Sequence, residues 1–131
     1  MNSKRKGKKS NCPYISKKIG YIVHVFDPIF MINFYAVVGM SNKVFCSIIK
    51  KDIKLELPSS NSDGKFYEIE RHGQKIGLIW SSDKSEHLIH ECCHATTWAL
   101  RKKGIELSSD SDEIMAYYQQ FLVKYIRSAL T

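Results

Sequence analysis

Long apolar runs are missing from this chain. No stretch approaches the ~18 consecutive apolar residues that a membrane-crossing helix needs. The longest, Ile29 to Met40, is broken by Asn33 and rich in aromatic and β-branched residues, which suit a strand. The basic N-terminus has no apolar core behind it, so no secretory signal is expected. Cys12, Cys46, Cys92 and Cys93 form no Cys-x-x-Cys pair, which argues against a thiolate zinc ribbon. Adjacent cysteines seldom bridge each other, and without a secretion signal reduced thiols in a cytoplasmic setting are expected. Internal repeats are absent as well. The 131 residues are enough for one domain with a single modest core.

Acidic residues are absent from the first 18 positions, which hold Lys4, Arg5, Lys6, Lys8, Lys9, Lys17 and Lys18. These seven cations account for the whole net charge of +7, so the remainder of the chain is formally neutral. Residues 1–16 read as a flexible basic arm and 17–131 as a single domain. Such an arm can touch phosphate weakly through charge alone. The neutral body carries no groove-reading motif, so nucleic-acid binding is not expected to be the main function.

What is present alternates strand and helix signals. Ile19 to Phe26 is β-rich and ends at the Asp27-Pro28 turn signal; Ile29 to Val38 reads as a second strand closed by Gly39. Ser41 to Lys51 carries Val44, Phe45, Ile48 and Ile49 at helical spacing, with Ser41 as N-cap. Asp52 to Leu57 is expected as a short strand before a loop from Pro58 to Gly64. Phe66 to Glu70 and Lys75 to Trp80 form a hairpin around Arg71-His72-Gly73-Gln74. A strong helix over about 84–103 stops at Gly104. The last helix, about 111–129, has a core stripe of Ile114, Tyr118, Phe121, Leu122, Tyr125 and Ala129. The fold class is α+β, a small sheet packed against these two C-terminal helices.

His90-Glu91-Cys92-Cys93-His94 carries the chemistry. Residues i and i+4 of a helix share one face, so His90 and His94 can both reach one metal ion. Imidazole nitrogens suit zinc, and a site with an open position admits water. Glu91, beside the pair, can take the proton of a water attacking a carbonyl. A catalytic zinc needs a third protein ligand, and Glu106, Asp110, Asp112 and Glu113 lie downstream. Glu113 is favoured, because a helix-turn-helix across Gly104 can fold it back onto the histidines. Asp112 is its rival, and a capping box with Asp110 is the alternative use of Glu113. His87, one turn before His90, is a further ligand, a substrate contact or simply a surface histidine. Tyr117, one turn after Glu113, can steady an oxyanion or a ligand, or pack. Cys92, Cys93 and Trp98 are expected in the core.

Residues Ser85 to His94, followed by Asp112-Glu113-Ile114-Met115-Ala116-Tyr117, resemble small phage-encoded zinc metallopeptidases of the gluzincin class. The Glu-x-x-Ala helix is also similar to that of the ImmA/IrrE group. The resemblance covers about 76–126. It implies a minimal zincin-like domain with Zn2+ held by His90, His94 and Glu113, Glu91 as general base, and a protein or peptide substrate. It also implies that the strand before the active helix, Lys75 to Trp80, pairs with substrate. A binding protein on the same fold, acting on a host or regulatory partner without proteolysis, is the alternative. Retention of Glu91, which a pure binder does not need, favours the enzyme.

Overall fold

The computed structural model describes residues 14–131, so most of the expected basic arm, with Cys12, lies outside the described residues. The sheet begins earlier than residue 17. Tyr14 already meets His24 through its hydroxyl, and the Ile15 carbonyl accepts from the Phe26 amide. Strand β1 (Ser16–Ile19) pairs antiparallel with β2 (Ile22–Asp27). The single strand expected over 19–26 is thus divided, because Gly20, at φ 64°, reverses the chain.

The corner after β2 is held by the Asp27 carboxylate, which accepts from the amides of Ile29 and Phe30. Ile29 to Met31 are spent on this turn, so β3 starts only at Ile32 and runs to Val38, antiparallel to β2. Helix α1 (Asn42–Ile53) starts as its cap dictates, with Ser41 Oγ accepting from the Val44 amide. It absorbs Asp52 and Ile53 and stops at Lys54, whose φ is 62°, and no strand forms over 52–57.

Strands β4 (Gly64–Arg71) and β5 (Gln74–Ser81) form the expected hairpin. Its two turn residues, His72 and Gly73, both have positive φ, the backbone that matches the twist of a tight hairpin. The strand order is β1-β2-β3-β5-β4, with β5 parallel to β3.

Helices α2 (Glu86–Lys102) and α3 (Asp112–Leu130) lie on one face of this sheet. Val23, Val25, Phe34, Ala36 and Ile79 point into that layer and meet Leu88, Cys92, Ala95, Ala99, Tyr118, Leu122 and Ile126. The alternate residues Val37, Leu78 and Trp80 face the other way and, with Tyr67 and Ile69, pack on Phe45 and Ile49 of α1. The fold is α+β, and α1 adds a layer beyond the two-helix packing read from sequence.

Gly104, at φ 75°, ends α2: its amide bonds to the Arg101 carbonyl, and the Ile105 amide bonds to that of Leu100. The chain then returns through a single turn, Ser109–Ser111, capped reciprocally by Ser108 and Ser111. Those serines cap the turn only; α3 itself starts without a side-chain cap, so the Asp110–Glu113 box is not made. Helix α3 runs back along α2, with Gln119 donating to the Ile89 carbonyl and Arg127 to that of Lys84.

The buried stripe of α3 is Tyr118, Leu122 and Ile126, flanked by Phe121, Tyr125 and Ala129; Ile114 is left 46% exposed. Tyr118 donates to Asp27 at 2.6 Å, fastening α3 to the β2–β3 corner. Burial, then the Asp27 bond, push the Tyr118 hydroxyl pKa well up. Among the described residues no helix is long and apolar enough to cross a membrane.

Candidate metal centre

His90 and His94 stand one turn apart on α2, both exposed, with Nε2 atoms 3.1 Å apart. Four ligands around a tetrahedral zinc, with bonds of 2.0–2.1 Å, place neighbouring donor atoms roughly 3.3 Å apart. The imidazole pair is therefore already spaced to share an ion. Without a metal, one Nε2 donates to the other; binding a metal requires both to be bare, with the protons on Nδ1. The two donors fit zinc in kind and in spacing.

Glu91 has the opposite exposure. Its side chain is 7% exposed against 68% for His90, and its Oε2 is 4.0 Å from His90 Nε2. It reaches under the histidine pair because β4 begins there with a residue that has no side chain. A Cβ on Gly64 would lie 2.7 Å from Glu91 Cγ and 3.0 Å from Oε2. Burial raises the Glu91 carboxyl above the usual range, while His94, His90 and His87 pull it back down. A buried carboxylate beside two imidazoles is the arrangement a general base needs.

No protein-family model matches this chain, and no curated protein or solved structure matches it either.

The structure does not assemble the rest of the expected site. No group of three or more His, Cys, Asp or Glu side chains stands ready for a metal among the described residues, so Glu113 does not join the histidines. Both Asp112 and Glu113 are exposed on the first turn of α3. Tyr117 is 65% exposed and does not line the cleft in front of His90 and His94, so the expected oxyanion role has no geometry behind it. The expectation for Lys75 to Trp80 is also corrected. This segment lies in β5, an interior strand paired with β4 along its length and with β3 from Gly77 to Ser81, so it is not an edge that can receive a peptide as an added strand. Among the described residues the outer strands are β1 and β4, and the unpaired edge that borders the cleft is that of β4. Sequence carried the signal: Ile76 to Trp80 is nearly continuous in apolar residues, as in an interior strand, whereas β4 has Lys65, Glu68, Glu70 and Arg71.

The cleft in front of the histidines is about 1200 Å³, bounded by β4 on one side and α2 on the other. At its N-terminal end His87 holds two loops together. Its Nδ1 meets Asp83 Oδ2, and its Nε2 lies 3.4 Å from Asp63 Oδ2. The Asp83 bond raises the His87 pKa above its usual value, against desolvation, and lowers that of Asp83 in return. At the other end Trp98 is half-buried between Phe34 and Phe66 and lines the cleft floor. Of the residues expected in the core, Cys92 is fully buried, but Cys93 and Trp98 are only partly so.

Proposed function

We propose that the chain is a zinc-dependent peptidase that hydrolyses peptide bonds. The observation that carries this reading is the 3.1 Å convergence of two exposed imidazole nitrogens beside a buried carboxylate, at the wall of a cleft bordered by the outer strand β4. A cleft feature of this kind is costly unless used: an ordinary surface helix has no reason to bury Glu91 under an exposed histidine pair.

His90 and His94 would hold the ion, and Glu113 is the third ligand we propose, drawn in from the neighbouring helix when metal binds. Zinc there would lower the pKa of a water and polarise the substrate carbonyl. Glu91 takes the proton of the attacking water and delivers it to the departing amine. Its burial favours that exchange by keeping its proton affinity closer to neutrality than that of a free carboxylate. The edge of β4, unpaired among the described residues, positions an extended substrate by backbone hydrogen bonds, and the cleft floor takes its side chains.

Glu91→Gln tests the reading, because it keeps the shape and removes the basicity. Proteins trapped on this variant are offered to the wild type. Hydrolysis by wild type and a loss of roughly 10²–10⁴ in rate for Glu91→Gln are expected, with the fold and metal content unchanged. Trapped partners that zinc-loaded wild type leaves intact would remove the peptidase assignment.

A further inference from the structure

The two ends of the cleft differ in charge. Near His87 the walls carry Asp63 and Glu86, whereas Arg101 and Lys102 stand at the far end, beyond Trp98. Neither cation is in an ion pair among the described residues. Glu68, an acid that lines the same cleft, is engaged by Lys75 at 3.6 Å. Lys102 Nζ lies 5.3 Å from the Trp98 ring centroid, so an ammonium is held over the aromatic floor.

Cations in the last turn of a helix complement its dipole, which accounts for their presence but not for the surface they overlook. That surface is Trp98 and Phe66, whose ring centroids are 5.3 Å apart. Gly77 makes room for it, since a Cβ there would lie 2.9 Å from both Phe34 and Phe66. An apolar platform rimmed by two free cations, continuous with the metal face, recognises an apolar or aromatic group with an anion beside it.

We infer that this end of the cleft selects substrates by an acidic residue next to an aromatic or large aliphatic one, the ring or chain on Trp98 and Phe66 and the carboxylate at Arg101 and Lys102. The inference deepens the peptidase reading and rests on it for the word substrate, but the selection itself needs no metal.

The test is a fully degenerate hexapeptide library retained on the immobilised full-length chain in EDTA, which stops turnover. Peptides with Asp or Glu beside Phe, Tyr, Trp or Leu should be enriched several-fold and Lys and Arg depleted. Each exposed pair of opposite charge shifts affinity by up to about fivefold. In Arg101→Gln/Lys102→Gln the acidic preference should fall by roughly three- to tenfold while the apolar preference persists; both residues are exposed, so the fold is not at stake. Trp98→Ala should remove the apolar preference instead. No acidic enrichment, or an enrichment that the double variant retains, would overturn the inference, as would failure to retain any peptide. Because zinc is absent throughout, acidic selection in a chain that never hydrolyses would refute the peptidase alone.

Discussion

Gly64→Ala adds one methyl group at the place where the fold has made room for Glu91. The backbone of Gly64 is that of an ordinary strand, so alanine brings no conformational strain of its own. The new carbon falls 2.7 Å from Glu91 Cγ, about an ångström inside ordinary carbon contact. Overpacking of this kind costs about 1–3 kcal/mol. For a chain of this size, 2 kcal/mol lowers the thermal midpoint by roughly 6–10 °C. A carboxylate displaced by about an ångström loses on the order of 10²-fold in rate if it is the general base. The cause is isolated by a double-mutant cycle. Glu91→Ala deletes the atoms that the methyl strikes, so Gly64→Ala should cost almost nothing in that background, leaving a coupling of about 1–2 kcal/mol. Urea unfolding of the four proteins reads this directly. Equal losses in both backgrounds would show that Gly64 matters to β4 itself and would refute the cradle argument.

Two further perturbations probe the frame around the site. Tyr118→Phe removes the donor to the buried Asp27 carboxylate and should cost about 2 kcal/mol in urea unfolding, the range for a bond to a charged group; a cost within about 0.5 kcal/mol would mean that the α3–β2 link is dispensable. For His87, whose pKa is raised, the linked stability is present below the unfolded value near 6.5 and is lost as pH rises through the folded value. For Asp83, whose pKa is lowered, it is present above about 3.8 and is lost as pH falls through the folded value. The contact is therefore strongest in mildly acid solution. An NMR titration should place His87 above 6.5 and Asp83→Asn should bring it down; an unmoved midpoint would contradict the pairing.

Local signals in the sequence were sufficient for the parts of the fold that are themselves local. Ser41 caps α1, His72-Gly73 turns the β4–β5 hairpin and Gly104 stops α2, each because a short-range hydrogen bond or a positive φ selects the residue. The same holds for His90 and His94, whose i, i+4 spacing on a helix fixes their meeting whatever the rest of the chain does. Contacts between distant segments were not legible. Insertion of β5 between β3 and β4 decides which strand of the hairpin lies outermost, and that choice depends on long-range pairing across α1 and the loop after it. Packing of α2 against β4 buries Glu91 and exposes its neighbour His90, a difference that residue type does not encode. Glu113 depended on the path of the return loop, where serines cap the short turn before α3 and α3 itself starts without a side-chain cap, so no Asp110–Glu113 box forms. The break at Gly20 was within reach, since a glycine inside a β-rich run marks a bend.

The most direct test is the metal content of the purified chain, measured by elemental analysis after growth with zinc supplied. One zinc per wild-type chain is expected, with none in His94→Ala and a weakened, more readily stripped site in Glu113→Ala. Zinc at wild-type level in His94→Ala, or none in the wild type, would contradict the account.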